Sequence, residues 1–393
     1  MTFAQRPPLH VVQIGFFNDP HRRTPQELLQ SWTTLSDVAQ AACRGGLRVS
    51  VVQASAHSEH LERNGVHYYF GPFGQAAAAR ARQALAELLR ELGPDVLHVH
   101  GLDFPREVLS LPQLAPEVPI ILQDHASRPP RAWRRWLWRR SIGAAAGVAF
   151  CALDQAQPFA RAGLLRAPTR VYEIPESTSH FVPGDPREAR QLTGVEGDPA
   201  VLWVGHLDTN KDPLTVLAGV SAAIRALPGL RLYCCFGAAP LLPQVQQMIA
   251  SDPGLRQRVT LLGRVPHERV EQLLRAADIF VLGSHREGSG YALIEALACG
   301  LPPVVTDIPS FRTLTGGGAV GALWRCGDAP ALAAALQQAA AHSGAATRAA
   351  VRAHFERELS SAALGAKLAA MYADVTERGR STPKAECALH QSA

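Results

Sequence analysis

Short apolar runs recur along the chain, each closed by turn residues and followed by a longer stretch with helical spacing. HVVQIGFF (10–17) reads as a strand, LLQSWTTLSDVAQAACRGG (28–46) as a helix stopped by a Gly pair, and LRVSVVQAS (47–55) as the next strand. The alternation continues with a helix over 74–95, a strand over 96–101, another over 118–125, and a strand with a turn over 144–156. A segment rich in Pro and Ser (171–185) interrupts it. A second series follows: strand 201–205, helix 213–223, strand 230–237, helix 240–252, a strand, loop, helix and strand over 258–284, strand 302–307, and a last turn and helix over 321–341. Repeated strand–helix–strand order predicts parallel sheets with right-handed crossovers. The break at 171–185 divides the chain into two such units.

The densest chemistry lies in SHREGSGYALIEALACG (284–300). Gly288 and Gly290 end the apolar run 277–283, and Tyr291–Cys299 reads as a short helix stopped by Gly300 and Pro302. A helix start offers unpaired N–H groups and the positive end of a dipole, which suits a phosphate. Glu287 precedes this start and Glu295 lies within the helix. A carboxylate beside a phosphate site repels it unless it serves another group, and carboxylates accept hydrogen bonds from sugar hydroxyls. The pair therefore suggests a sugar nucleotide, with Glu295 on a ribose and Glu287 on a sugar.

Other candidates sit at the ends of predicted strands. In VLHVHG (96–101), His98 is mid-strand and reads as a core histidine, whereas His100 is at the carboxyl end, where open α/β sheets place ligands. VPIILQDH (118–125) closes on Asp124 and His125. The first loop carries Asn18, Asp19, His21, Arg22 and Arg23 and has no G-x-G-x-x-G fingerprint, which argues against a nicotinamide-dependent dehydrogenase. Asn18 is a candidate acceptor-side residue with His100. In the second unit the strand 201–205 leads into HLDTNKD (206–212), placing Gly205, His206 and Lys211 at a strand end before a helix.

Composition narrows the classes. The chain has 393 residues, enough for two domains, and 47% are apolar. A net charge of +5 fits anionic substrates and gives no argument for nucleic acid. The seven cysteines are scattered, with no C-x-x-C, which points to a reducing, cytoplasmic setting and away from disulfides or zinc. No secretory h-region or run of the ~20 apolar residues needed for a bilayer span is found. RPPRAWRRWLWRR (128–140) holds six Arg, three Trp and no acid. It reads either as a solvated helix with Trp on the core and Arg stems over apolar surface, or as a peripheral contact with an anionic membrane or acceptor.

Glu287 through Glu295 resembles the E-x7-E motif of retaining glycosyltransferases of the family 4 type, and ALACGLPPVVTDIPSFR (296–312) resembles the stretch after it. The resemblance covers most of residues 95–345. It implies the GT-B fold: α/β, two Rossmann-like domains facing a cleft, with a C-terminal helix crossing back to the first. The expected boundaries are 1–176 for the acceptor-side domain, 177–345 for the donor-side domain, 346–375 for the returning helix and 376–393 for a flexible tail. Lys211 stands six residues after Gly205, as in the family's G-R-L-x-x-x-K, with His206 where Arg is usual. Imidazole brings at most one charge and no fork, so the diphosphate clamp is altered. By resemblance, His125, Lys211 and Glu287 are the catalytic candidates. Gly205, His206, Lys211, Gly263, Arg264, Val265, Ser289, Gly290, Tyr291 and Glu295 bind the donor, with the 263–265 loop receiving the base. The first-loop Gly pair of the family is absent, and Glu176-Ser177 replaces its usual Asn-Gly in the linker, with no chemistry assigned to Glu176.

The implied function is transfer of a sugar, with retention, from a UDP- or GDP-sugar to a glycan, lipid or small-molecule acceptor. No cofactor is expected. No D-x-D triplet occurs, so no metal site is expected and Lys211 with helix dipoles must carry the diphosphate charge. Two other readings are a nucleotide-sugar epimerase of related fold and a noncatalytic sugar-nucleotide-binding subunit of a transferase complex.

Overall fold

The computed structural model describes residues 7–74 and 79–381. Two parallel-type sheets organise it. The first contains β1 (His10–Gly15), β2 (Arg48–Ala54), β3 (Glu59–Arg63), β4 (Val66–Gly71), β5 (Val96–His100), β6 (Ile120–Gln123), β7 (Gly147–Phe150) and β8 (Arg170–Glu173), in the order β3-β4-β2-β1-β5-β6-β7-β8. The second contains β9 (Ala200–Val204), β10 (Arg231–Cys235), β11 (Val259–Gly263), β12 (Ile279–Leu282), β13 (Pro303–Thr306) and β14 (Ala322–Trp324), in the order β11-β10-β9-β12-β13-β14. All pairings are parallel except β3–β4.

The strands are apolar because helices cover both faces of each sheet. Along β1, Val12 and Ile14 enter one core with Leu85, Leu97 and Val99. Val11 enters the opposite core with Val49, Val51, Leu28 and Val38, as period-two alternation requires. A third core fills the second domain around Trp203, Phe280 and Phe311.

Several expectations change in detail. The helix expected over 28–46 is two, Pro25–Ser31 and Thr33–Arg44, broken at Trp32, which has non-helical backbone angles. The first is opened by a capping box between Thr24 and Glu27. The antiparallel edge β3–β4 was not foreseen. β3 is mostly exposed or half-buried and so lacks the apolar signal that marks the interior strands. The start of the expected linker is β8, paired with β7.

The returning C-terminal element is two helices, Ala345–Glu358 and Ser361–Ser381, rather than one. The second runs to Ser381, past the start expected for a flexible tail. The break at Leu359–Ser360 turns the chain toward the first domain, where Leu364, Leu368, Met371, Tyr372 and Val375 join the core that contains Val11 and Val38. The Tyr372 hydroxyl is 2.7 Å from Nδ1 of His98 on β5. Asp374 accepts from Arg170 at 2.8 Å and from Tyr172 at 2.5 Å, both on β8. His98 is thus a core histidine held neutral, with burial pushing it down to about 3.

This docking is close enough to demand glycine. A Cβ on Gly365 would overlap the Ala41 carbonyl oxygen, and one on Gly45 would overlap the carbonyl of Gly365. These are backbone atoms of packed helices and cannot swing aside. We expect Gly365→Ala to lift the last helix from the first domain at a cost of about 1–3 kcal/mol. A lower thermal midpoint with faster proteolysis near 361–375 would register it; an unchanged midpoint would contradict the packing.

Candidate functional site

Open parallel sheets collect ligand loops at the carboxyl ends of the strands, where the strand order reverses. Here the reversals fall between β1 and β5 in the first sheet and between β9 and β12 in the second. The loops leaving these four strands, with that after β6, supply most of the candidate residues.

In the second domain the loop after β9 is tied to the loop after β12. The His285 N–H donates to the Asn210 carbonyl at 2.8 Å, and Asn210 Nδ2 donates to the Arg286 carbonyl at 2.9 Å. Asp212 sits in a left-handed conformation and caps the next helix by accepting from the Thr215 N–H, while His285 Nε2 lies 3.0 Å from its other oxygen. The Lys211 N–H donates to Asp208 at 2.9 Å. These bonds bring Lys211 Nζ to 2.5 Å from Glu287 Oε1, and both side chains are largely buried. At ordinary protein dielectric such contact offsets much of the cost of burying either charge.

Gly290 starts the helix Tyr291–Ala298 with φ of 76°, a left-handed value, and a Cβ there would meet the Phe311 ring at 2.6 Å. No side chain caps this helix start. Glu295 lies one turn in, with Oε1 2.6 Å from His267 Nε2. The imidazole is raised above its ordinary value, chiefly by its hydrogen bond to Glu295.

Opposite these groups stand His100 and His125. His100 Nδ1 is 3.3 Å from His125 Nε2. His125 Nδ1 is 2.9 Å from Glu176 Oε2, and the Tyr291 hydroxyl donates to the same oxygen at 3.4 Å. Glu176 also donates its N–H to Ser289 Oγ at 2.9 Å. His100 is pushed well down by burial and by the neighbouring His98 and His125. Burial works against a charged His125, but the Glu176 carboxylate outweighs it and holds that imidazole up. Tyr291 keeps much of its ring exposed while its hydroxyl faces Glu176; burial of the hydroxyl and that carboxylate push its phenol well up. Asp124 is buried, is pushed up to about 6, and accepts from the Ser127 N–H.

A cleft of about 810 Å³ joins these parts. His100, His125, Glu176, Glu287, Ser289, Gly290 and Tyr291 line it, as do the aromatic rings of Phe17, Trp32 and Phe104. A smaller adjoining cavity of about 290 Å³ holds Glu295, His267, His180 and Asp37. Gly205, His206, Gly263, Arg264 and Val265 lie beyond the cleft lining at the ends of β9 and β11. The Ala238 N–H donates to His206 Nδ1 at 3.1 Å, which leaves Nε2 as that ring's protonated nitrogen. Asn18 packs against Gly74, and its place in the wall is taken by Phe17.

The segment 32–175 matches the family model Glycosyltransferase Family 4, and 198–342 matches Glycosyl transferases group 1. The chain belongs to the family 4 glycosyltransferases. It is 28% identical over 228 residues to a GDP-mannose:cellobiosyl-diphosphopolyprenol alpha-mannosyltransferase of Xanthomonas oryzae, covering 56% of this chain and 58% of that relative. It is 32% identical over 153 residues to a D-inositol 3-phosphate glycosyltransferase of Nocardia farcinica, covering 37% and 34%. The match thus spans at most about 58% of these relatives' length. Among solved structures, sucrose-phosphate synthase of Thermosynechococcus elongatus superimposes with a TM-score of 0.67 at 18% identity, covering 94% of this chain and all of that one. HepE of Anabaena, in complex with UDP and glucose, gives 0.66 at 17% identity, covering 93% and all. These similarities agree with the GT-B fold of the glycosyltransferase family 4.

Glu176 is the site residue that sequence reasoning missed. Its one signal was the departure from Asn-Gly after Pro175. His267 and the aromatic wall of Phe17 and Trp32 carried no motif. Gly290→Ala in this family member is expected to strain the helix start and push against the buried Phe311, lowering stability by roughly 1–3 kcal/mol. Equilibrium denaturation beside Gly263→Ala, whose φ of 70° is also left-handed but whose Cβ would meet nothing, separates the backbone contribution from the clash.

Proposed function

We propose that this protein is a retaining glycosyltransferase that moves a sugar from a UDP- or GDP-sugar to an acceptor held by the first domain. The observation that carries this reading is a single cleft in which Glu287, paired with Lys211 behind it, and an uncapped helix start face His100 and His125. In this reading the donor diphosphate lies at Ser289–Tyr291, where the first helical N–H groups and Lys211 stabilise the charge that grows on the leaving phosphate. Glu287 can remain beside an anion because Lys211 neutralises it, and its free oxygen accepts from a sugar hydroxyl. Glu295, oriented by His267, takes the ribose. Gly205 and His206 flank the diphosphate, and Gly263, Arg264 and Val265 receive the base. His125 contacts the transferred sugar from the other side, with His100 toward the acceptor. The departing phosphate takes the acceptor proton on the face it leaves, which gives retention without a protein nucleophile. Closure of the two domains excludes water. No metal is required in this scheme, so a chelator leaves turnover unchanged.

The test is a thermal shift of the full chain against UDP-, GDP- and ADP-sugars and the free diphosphates. A ligand at 100 times its dissociation constant raises stability by about 2.7 kcal/mol. We expect one donor to shift the wild type, with the shift lost in Lys211→Ala and Glu295→Ala and with slow hydrolysis of that donor. No shift with any nucleotide would overturn the reading.

The acceptor side favours a phosphate-bearing or lipid-linked molecule. Two relatives are named for cellobiosyl-diphosphopolyprenol and inositol 3-phosphate. Within 128–140, Trp138 is buried, but Trp133 is 70% and Trp136 58% exposed, beside arginines. No helix among the described residues is long and apolar enough to cross a membrane. A peripheral contact through the two exposed indoles suits this geometry. Flotation with phosphatidylglycerol vesicles is expected to recover the wild type and to lose most of it in Trp133→Ala/Trp136→Ala. Equal recovery of both would remove the membrane contact.

A further inference from the structure

The segment joining the two domains carries a carboxylate into the cleft, and the transfer scheme above gives it no part. Glu176 is almost fully buried at 5% exposure. Its backbone N–H is anchored to Ser289 of the second domain at 2.9 Å, and its Oε2 meets His125 of the first domain at 2.9 Å. Its other oxygen, Oε1, is buried without a hydrogen-bond partner and lies against Gly288, where a Cβ would overlap it. An unpaired buried carboxylate is costly, so the charge must be held by what it does pair with. Its ionisable partner is the His125 ring, with the Tyr291 hydroxyl donating to the same oxygen at 3.4 Å.

We propose that Glu176 is a positioning residue that orients His125 through Nδ1 and stands as the counter-charge to that ring in the cleft. The inference rests on the transfer reading for what His125 touches, but not for the pair itself. With Nδ1–H donated to Glu176, the other nitrogen, Nε2, is directed at His100 and the cavity. A cationic Nε2–H can donate to a sugar hydroxyl or to the anionic donor, which a neutral ring in this tautomer cannot. The groups facing His125 are His100 and, behind it, His98 on β5, Asp124 beside it, Glu176 in the joining segment, and Tyr291 from the helix; Glu287 lines the same cavity and is paired with Lys211. Burial opposes a charge on His125, while Glu176 and Asp124 favour it, and His125 in turn pushes His100 and His98 down. Of the carboxylates, only Glu176 makes the hydrogen bond.

The sign follows. His125 is raised in the folded protein. Its paired state is therefore complete below the ordinary histidine value of about 6.5 and is lost as pH rises through the folded value. Transfer should carry an alkaline limb set by this ring.

The experiment is histidine-labelled NMR of the full chain, with the His125 signal assigned by its loss in His125→Asn. Glu176→Gln keeps an oxygen acceptor and the side-chain volume but removes the charge. We expect the His125 midpoint to fall by about one pH unit or more in Glu176→Gln and to recover in part in Glu176→Asp. Gly288→Ala, which displaces the carboxylate without altering it, should lower the midpoint as well. In kcat/KM profiles the alkaline limb should move down by the same amount, about tenfold in rate per unit above both midpoints. An unmoved His125 midpoint in both Glu176→Gln and Gly288→Ala would overturn the proposal. So would a kcat/KM limb that stays put while the midpoint moves. A moved midpoint in a protein that turns over no donor would leave the pair standing and would instead remove the transfer reading.

Discussion

A parallel sheet cannot be built from tight turns, and that constraint shapes this protein. Each strand must be followed by a crossover, so every loop leaving a carboxyl end emerges on one edge. Where strand order reverses, neighbouring loops diverge and leave a crevice lined by helix starts and backbone N–H groups. Two such sheets, with carboxyl ends toward a common cleft, enclose a cavity between the domains. Residues after β12 line one side of it, with Lys211 after β9 paired to Glu287, and residues after β1, β5 and β6 close the other.

In and beside the cleft, ionisable side chains are arranged in contacting pairs. Lys211 meets Glu287, His267 meets Glu295, and His125 meets Glu176. Each pair offsets part of the cost of burial and leaves a donor or acceptor over for a ligand. Two of the pairs lie within the second domain, one between two loops and one between two helices, whereas the third bridges the domains through the joining segment. Gln155 of the first domain adds a bridge by donating to the carbonyls of Glu287 and Gly288. The loop that carries the first carboxylate of the motif is therefore held from both sides, and relative movement of the domains must be felt at His125 and Glu287 together.

The C-terminal helices fasten the arrangement. The first lies against the second domain and the last against the first domain, so the chain crosses between the domains twice, at 174–179 and at 359–360. Thr178 donates to the Leu359 carbonyl at 2.7 Å, tying the two crossings to each other. Close approach at Gly45 and Gly365 then holds the last helix in place.

The alternation of apolar runs and helical spacing was enough to read two α/β units, because that periodicity is local and each interior strand is buried on both faces. The motif around Glu287 and Glu295 likewise named its helix and its family, since the left-handed turn at Gly290 and the helix start are adjacent in the chain. The exposed edge strand β3 and the break at Trp32 were not legible, as neither carries an apolar pattern of its own. Nor could the sequence say which face of 128–140 turns inward; the packing of Trp138 beside Phe159 decides that and leaves Trp133 and Trp136 outside. Above all, the partner of each buried charge was settled only by tertiary structure. His125 and Glu176 are 51 positions apart, His267 and Glu295 28, and Lys211 and Glu287 76. Residue type and spacing report what one segment can do alone, whereas these contacts depend on how separate loops and two sheets meet across a cleft.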